Sequence, residues 1–163
     1  MNNNNFKRPI ANIDDATAEQ ITEVLNNLLA NEYALFTKTL NYHWNVTGPR
    51  FHSLHKFLGE QYHELLEMMD GLAERVRVLG EVPHSTLKKM TKEMDINEVT
   101  GNSLSSSEML SDLFNSHMMI QSYIKTSITT DKNFEKQPGI EDFLVGLLNK
   151  HEMMSWMLKS HLD

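Results

Sequence analysis

The sequence predicts an all-α fold, a four-helix bundle in which a long crossover carrying a short helix connects helices two and three. Three observations support this prediction. Apolar residues recur at steps of three and four in four long stretches, Pro and Gly separate these stretches, and no stretch alternates for long like a half-buried strand. A chain of 163 residues fits one domain. We expect a flexible tail over residues 1–14 and a single domain over residues 15–163.

The first predicted helix begins after Asp14 or Asp15, either of which is an acceptable N-cap, and continues to about Trp44. Gly48 and Pro49 then end the pattern, because proline lacks a backbone donor and restricts the residue before it. The apolar residues that define this helix are Ile21, Val24, Leu25, Leu28, Leu29, Leu35, Phe36 and Leu40.

The second predicted helix begins near Arg50 and gives the strongest structural signal in the chain. Its apolar stripe alternates steps of three and four without a break, which is typical of a helix with one buried face. Gly80 follows the last apolar residue as a natural C-terminal cap. The stripe consists of Phe51, Leu54, Leu58, Tyr62, Leu65, Met69, Leu72, Val76 and Leu79.

A polar segment from Glu81 to Leu104 follows, and only its part from Leu87 to Met94 is typical of a short helix. Ser105, with Glu108 three residues later, forms a capping-box pattern that opens the third long helix, to about Thr130. A Pro-Gly pair precedes the fourth helix, from about Ile140 to His161. The long connection lets helices two and three run in the same direction, as in ferritin-like bundles.

The composition excludes several kinds of chemistry. The chain has no cysteine, so disulfides, zinc–thiolate sites, iron–sulfur clusters and thiol nucleophiles are absent. Its formal net charge of −7 argues against a surface built for phosphate backbones and favours attraction of cations. No apolar run is long enough to span a membrane, and the N-terminal MNNNNFKRPI is not a secretion signal. We therefore expect a soluble cytoplasmic protein.

A ferritin-like bundle raises the expectation of two Glu-x-x-His pairs in its core. Glu60 and His63 form one such pair, but the other, Glu81 and His84, has Pro83 inside it and lies in the crossover. A di-metal centre within one bundle is therefore disfavoured. Glu60 and His63 are then interpreted as a solvated or interfacial pair.

A different set of candidate ligands fits the geometry better. His43 ends helix one, His55 begins helix two, and Asp70 and Glu74 share a face one turn apart further along helix two. Such nitrogen and oxygen donors suit ferrous iron. However, His55 and Asp70 are about 22 Å apart along the helix, at 1.5 Å per residue. One chain cannot close this site, but two chains can if helix two packs antiparallel on its own copy across a two-fold axis.

Three of the candidate ligands, His55, Asp70 and Glu74, lie on a flank of helix two that also carries small and apolar residues. This composition is typical of a helix–helix contact face, and spacing alone leaves open that its polar residues are ordinary interface groups. The flank covers about 100° of arc. Its members are His55, Gly59, His63, Leu66, Asp70, Ala73 and Glu74.

The chain resembles the Dps miniferritins, the family of DNA-binding proteins from starved cells, over about residues 15–162. The motif that carries the resemblance begins with HWNV-x-G, followed by a Phe. A second His stands twelve residues after the His of HWNV, and D-x-[apolar]-[A/G]-E-R begins fifteen residues after that second His. Each part stands at the expected offset. The matching residues are His43-Trp44-Asn45-Val46-Thr47-Gly48-Pro49, Phe51, Leu54-His55 and Asp70-Gly71-Leu72-Ala73-Glu74-Arg75.

The resemblance implies a hollow homododecamer that binds Fe(II), oxidises it to Fe(III) with hydrogen peroxide or oxygen, and stores ferric mineral while protecting the cell from oxidative damage. It implies that His43 and His55 of one subunit act with Asp70 and Glu74 of its two-fold mate as iron ligands of a ferroxidase site. Trp44 would then be an aromatic neighbour of that site. The acidic residues Asp131, Glu135, Glu141 and Asp142 are candidates for a three-fold pore or for a solvated face.

Two other functions remain open at this point, a DNA-compacting structural protein with minor iron chemistry and a four-helix interaction module with decayed sites. The N-terminal tail offers only Lys7 and Arg8, so we expect DNA binding to be weak or absent. The remaining histidines are not expected to bind metal, with His52 and His63 as the nearest exceptions.

Overall fold

The computed structural model describes residues 8–99 and 104–162. Over these residues the regular structure is entirely helical, and the predicted all-α bundle with a short crossover helix is confirmed. No helix among them is both long and apolar enough to cross a membrane. Residues 1–7 lie outside the described part, so the boundary between tail and domain stays a prediction. The helices are α1 (Asp15–Asn45), α2 (Phe51–Val78), α3 (Leu87–Glu93), α4 (Ser106–Thr130), α5 (Lys132–Glu135) and α6 (Pro138–Ser160).

The bundle consists of two helical hairpins, α1 with α2 and α4 with α6. Lys38 on α1 donates to Oγ of Ser116 on α4 at 3.2 Å, and Tyr42 on α1 donates to the Asp112 carboxylate at 2.7 Å. The α4 residue number falls as the α1 number rises, so α1 and α4 are antiparallel. Helices α2 and α4 therefore run in the same direction, as the long crossover predicts. Burial and the bond to Asp112 raise the pKa of Tyr42, which keeps this hydroxyl a donor.

Both N-caps predicted from the sequence are present. The Asp14 carboxylate accepts from the Thr17 backbone N–H at 2.8 Å, and this bond lowers the pKa of Asp14. At the start of α4, Ser105 and Glu108 form a reciprocal capping box. These bonds satisfy N–H groups that have no partner within the helix.

The end of α2 is closed by Gly80, whose φ of +82° lies in the left-handed region. The Gly80 N–H donates to the Arg77 carbonyl at 2.9 Å, and the Glu81 N–H donates to the Val76 carbonyl at 3.2 Å. This pair of bonds is a Schellman motif, which requires a residue that tolerates positive φ.

Arg8 packs over this turn and is almost fully buried. Its guanidinium donates to the Leu79 carbonyl, to Glu81 at 2.7 Å and to Asp15 at 3.0 Å. The bond to Glu81 is the main reason that the pKa of Arg8 is raised. This basic residue of the N-terminal segment is therefore neutralised by carboxylates of its own chain.

Asparagines of α1 hold the crossover against the bundle. The Asn26 side-chain oxygen accepts from the His84 backbone N–H at 2.9 Å. The Asn31 side-chain oxygen accepts from the backbone N–H groups of Asp95 and Ile96 at 2.8 and 3.1 Å. The crossover thus lies along α1, and α3 packs on that helix.

Helix α5 was not predicted, because four residues carry too little periodicity to be recognised. Asp131 ends α4 and also caps α5, where its carboxylate accepts from the Asn133 backbone N–H at 2.9 Å. Phe134 is fully buried and fixes this turn on the bundle.

Candidate metal site

His43 and His55 meet at the corner between the last turn of α1 and the second turn of α2. Their rings stack with centroids 3.8 Å apart and planes inclined by 20°. Each imidazole also bonds to the main chain of the other residue. His43 Nδ1 lies 2.7 Å from the His55 carbonyl oxygen, and His55 Nδ1 lies 2.8 Å from the His43 carbonyl oxygen. The fold therefore brings these two candidate ligands together in a reciprocal pair.

The reciprocal hydrogen bonds fix the tautomer of both rings. A carbonyl oxygen only accepts, so Nδ1 must carry the proton in His43 and in His55. In a neutral imidazole the other nitrogen, Nε2, then has a free lone pair. Metal-binding histidines are commonly oriented in this way, with the second ring nitrogen donating to a carbonyl group. Both rings are thus prepared to bind a cation through Nε2.

Gly59 makes room for this arrangement. A Cβ atom at this position would lie 3.3 Å from Cε1 and 3.5 Å from Nδ1 of His43. The sequence predicts Gly59 as a point of close approach between subunits, and the structure gives it a close contact within one subunit. Gly59 is four residues from His55 and therefore lies on the same helix face. This spacing is the only indication in the sequence that Gly59 lies near the histidine pair.

Aromatic rings surround the two imidazoles. The Tyr62 ring meets the His43 ring edge-on, with centroids 5.2 Å apart, and Phe51 stacks on His55 at 5.2 Å. These contacts restrain the imidazoles from outside. Trp44, which the resemblance implies as an aromatic neighbour, is 67% exposed.

The histidine pair opens onto a shallow depression of about 510 Å³ on α2. His63 lies in the same depression, and its Nδ1 donates to the Gly59 carbonyl at 2.7 Å. Glutamate side chains complete the rim, so the depression combines nitrogen donors with negative charge. The lining residues are His43, His55, Lys56, Gly59, Glu60, Tyr62, His63, Glu64 and Glu67.

Asp70 and Glu74 lie on the same side of α2, beyond this depression, and both are exposed. No hydrogen bond or ion pair joins either carboxylate to another residue between 8–99 or 104–162. Asp70 lines a second depression, of about 210 Å³, together with Leu66 and Ala73. All seven residues of the predicted contact flank are at least partly exposed. The flank is therefore open in the single subunit.

A single subunit does not assemble a complete metal site from these residues. In the described part of the chain, no three His, Asp or Glu side chains converge closely enough to hold a metal ion. The histidine pair and the carboxylate pair remain two separate halves, about 22 Å apart along α2 for the 15 residues between His55 and Asp70.

Two histidines that are not candidate ligands form a buried polar cluster in the bundle core. His151 Nε2 lies 2.6 Å from Oε1 of Glu32, and the Nδ1 atoms of His117 and His151 share a hydrogen bond of 2.8 Å. All three side chains are essentially inaccessible. Burial, with a contribution from His151, holds the pKa of His117 well below its ordinary value of 6.5, so His117 is neutral.

The acidic residues considered for a pore lie where α4, α5 and α6 meet. Asp131 is engaged as the cap of α5, whereas Glu135 and Asp142 are exposed and Glu141 is half-buried. Their role as pore residues stays a prediction.

The chain is similar to ferritin-like proteins over most of its length, since the family model of the ferritin-like domain matches residues 22–163. A low temperature-induced protein of Nostoc is 33% identical over 93% of this chain and 84% of its own. The "DNA protection during starvation protein" of Brevibacillus brevis is 34% identical over 88% of this chain and 95% of its own.

A solved structure has the same fold. The Dps protein from Vibrio cholerae, described as a member of a broad superfamily of ferritin-like diiron-carboxylate proteins, superposes with a TM-score of 0.88. It is 25% identical, and the match covers 98% of this chain and 99% of that one.

Proposed function

The chain belongs to the Dps family of ferritin-like proteins, and from this membership we propose that it oxidises and stores iron. It binds Fe(II) at sites shared by two subunits, oxidises it with hydrogen peroxide or oxygen, and stores ferric mineral inside a hollow homododecamer. The protein is then a ferroxidase with iron as its substrate, and its activity protects the cell from oxidative damage.

The observation that carries this proposal is the division of four candidate ligands into two halves, a histidine pair where α1 meets α2 and a carboxylate pair further along the open face of α2. His43 and His55 present Nε2 lone pairs at one end, and at the other Asp70 and Glu74 present carboxylates that no residue in the described part of the chain binds. An antiparallel pairing of two α2 helices brings the histidine half of one subunit to the carboxylate half of its mate. The two-fold axis then generates two identical sites, each with two nitrogen ligands and two carboxylates.

This ligand set suits the oxidation of iron. Imidazole and carboxylate both bind Fe(II), and hard anionic oxygen donors stabilise Fe(III) more strongly. Four protein ligands leave coordination positions for water and the oxidant. When two Fe(II) ions reduce one hydrogen peroxide, each gives one electron, the O–O bond breaks, and two hydroxide ions form. Hydroxyl radical is not released if both Fe(II) ions are held at one site and give their electrons to the same peroxide, so the proposal requires that a site takes two Fe(II) ions per turnover.

The charge of the protein supports the same function. Each chain carries a formal net charge of −7, so a dodecamer carries about −84. Such a field attracts Fe(II) and raises its concentration near the sites.

DNA compaction is the second candidate, and the name of the Brevibacillus brevis relative favours it. Two features of this chain oppose it. Its net charge is negative, and the Arg8 guanidinium is tied to Glu81 and Asp15. Nonspecific DNA binding depends on free Lys and Arg side chains. We therefore rank iron oxidation and storage first.

Mixed-subunit kinetics test the shared site. His55→Ala and Asp70→Ala should each slow peroxide-dependent Fe(II) oxidation, followed by the absorbance of Fe(III), by about 10²-fold or more, because each removes a metal ligand. Subunits of the two variants that are unfolded and refolded together should recover part of the activity, because one of the two sites in each mixed pair contains four intact ligands. Glu23→Ala, which removes an exposed carboxylate on α1, serves as the control.

Three outcomes separate the alternatives. Wild-type rates in either single variant contradict the ligand assignment. Inactive single variants without recovery in verified mixed pairs contradict the shared geometry. Recovery in the mixture requires that the histidines and carboxylates of different subunits act together.

A further inference from the structure

His63 has the features of a metal ligand, although it is not among the four residues of the proposed oxidation site. Its Nδ1 donates to the Gly59 carbonyl at 2.7 Å, so its Nε2 lone pair is free in the neutral ring. No hydrogen bond to this Nε2 is found among the residues that the structure describes. The ring stacks on Tyr62 with centroids 4.2 Å apart, which fixes its orientation. His63 is thus exposed, and its ring is held in the same tautomer as those of the half-buried His43 and His55, with Nε2 available to a metal.

The proposed pairing of two subunits places His63 close to the two-fold axis. In the proposed antiparallel pairing, His55 faces Asp70 and Glu74 of the mate, and facing positions are equally distant from the two-fold axis. The axis therefore crosses α2 about midway between His55 and these carboxylates, at positions 63 and 64. Glu64 is turned toward α6, where it pairs with Lys150 at 2.5 Å. His63 is the residue at this level that lies on the open flank.

We propose that the two His63 side chains of a subunit pair bind one divalent transition-metal ion on the two-fold axis. This inference rests on the proposed function, because it uses the same pairing of α2. The ion lies between the two iron-oxidation sites, about 12 Å along the helix from each His55 at 1.5 Å per residue.

The donor chemistry defines the class of ion. Two neutral imidazoles favour borderline metals such as Zn²⁺, Fe²⁺, Ni²⁺ and Cu²⁺ over Mg²⁺ and Ca²⁺. Glu60 and Glu67 line the same depression three residues before and four residues after His63, so their carboxylates lie within one helical turn. They supply negative charge next to the ion, and water completes its coordination. A metal bound in this way links the two subunits directly.

Cysteine cross-linking tests the geometry without any metal. The chain contains no cysteine, so a single introduced thiol reports on one position only. His63→Cys should be cross-linked between subunits by a bis-maleimide that spans about 8–10 Å, because two imidazoles that share an ion through Nε2 hold their Cβ atoms further apart than a disulfide allows. Ser53→Cys is the control on the same helix. It lies ten residues from position 63, so its two copies would be about 30 Å apart.

The cross-linking result decides whether residue 63 lies at the axis. A covalent dimer of His63→Cys, with monomeric Ser53→Cys, on a non-reducing gel supports the inference. If His63→Cys gives no more dimer than Ser53→Cys, the inference is overturned.

Zinc titration tests the metal site itself, with Zn²⁺ as a redox-inert probe. Compared with wild type, His63→Gln should lose one Zn²⁺ per two subunits in isothermal titration calorimetry. His55→Ala should keep this ion and lose Zn²⁺ at the oxidation sites. His161→Gln, which alters a histidine at the end of α6, should change nothing.

The titration also separates failure of this inference from failure of the proposed function. If His63→Gln binds as much Zn²⁺ as wild type while His55→Ala binds less, the His63 site on the two-fold axis (the axial site) is refuted and the oxidation site stands. If His63→Gln loses one Zn²⁺ per subunit, the ion is held within one chain, and the proposal that two His63 side chains share one ion is refuted. If His55→Ala loses nothing while His63→Gln loses one per pair, the oxidation site is refuted and the axial site stands.

Discussion

A Cβ atom on Gly59 would lie 3.3 Å from Cε1 of His43, closer than nine in ten real Cβ contacts. Gly59→Ala should therefore displace the His43 ring by a few tenths of an ångström. A displacement of 1 Å in a reactive geometry can cost about 10²-fold in rate, so we expect Fe(II) oxidation to slow by about three- to tenfold. Stopped-flow absorbance of Fe(III) formation measures this change.

Gly146→Ala is the matched control for Gly59→Ala. Gly146 is also inside a long helix, and a Cβ there would meet nothing within 4 Å. Alanine should stabilise α6 by about 1 kcal/mol and leave the oxidation rate unchanged. Equal rates in both variants would show that His43 does not depend on the absence of a side chain at Gly59.

Acid should weaken the bundle through His117. Burial and His151 hold the pKa of His117 well below its ordinary value of 6.5. Below about pH 6.5 the unfolded chain therefore takes up a proton that the folded chain does not. The free energy of unfolding should fall with decreasing pH by up to about 1.4 kcal/mol per pH unit from this group. Denaturant titrations at pH 7.5, 6.0 and 5.0, at one protein concentration, measure this slope.

His117→Gln isolates the contribution of this histidine. Glutamine does not titrate, so the variant should lose less stability than wild type between pH 6.5 and 5.0, whatever its stability at pH 7.5. Parallel pH profiles for the two proteins would contradict the assignment.

Leu66 should hold subunits together. It lies on the open flank of α2 and is 49% exposed in the single subunit. Wild type should have a mass of about 226 kDa, twelve times the 18.8 kDa of one chain. Leu66→Asp places a charge at the apolar contact and should give smaller species in light scattering coupled to gel filtration. Leu66→Met, which keeps the apolar side chain, should assemble like wild type.

DNA binding should be weak or absent near neutral pH at about 150 mM salt. Arg8 is tied to Glu81 and Asp15, so the described part of the N-terminal segment offers no free cation. Phosphate contacts need free Lys or Arg side chains. A gel-shift titration of linear duplex without divalent ions checks this. A complex at submicromolar protein would contradict it, and a version with five added N-terminal lysines provides the positive control.

The sequence predicts the helices well because their signals are local. The apolar stripe of α2 and the capping box of Ser105 and Glu108 depend on residues three or four apart. The contact between Glu32 and His151 joins residues 119 positions apart, and no local pattern reveals it. Helix α5 is too short for periodicity.

For the candidate site, too, the sequence predicts the residues but not the tertiary contacts between them. Its four residues were found from spacing and resemblance, and their role as ligands stays a prediction. The exchange of hydrogen bonds between His43 and His55 depends on how the end of α1 meets the start of α2, which spacing does not specify. The contact of Gly59 with His43 has the same origin.

The reciprocal bonds of His43 and His55 also mean that the two halves of the proposed site would lose different amounts of side-chain entropy when a metal binds. Both imidazoles lose their rotamer freedom when the hairpin folds, because each is bonded to the opposite main chain and stacked on the other ring. Asp70 and Glu74 are exposed and unbonded within the described residues, so they lose freedom only when an ion arrives. In the proposed shared site, the imidazoles are therefore the rigid half, which is held in place before an ion binds. The cost of ordering the two flexible carboxylates should then reduce the affinity of that proposed site.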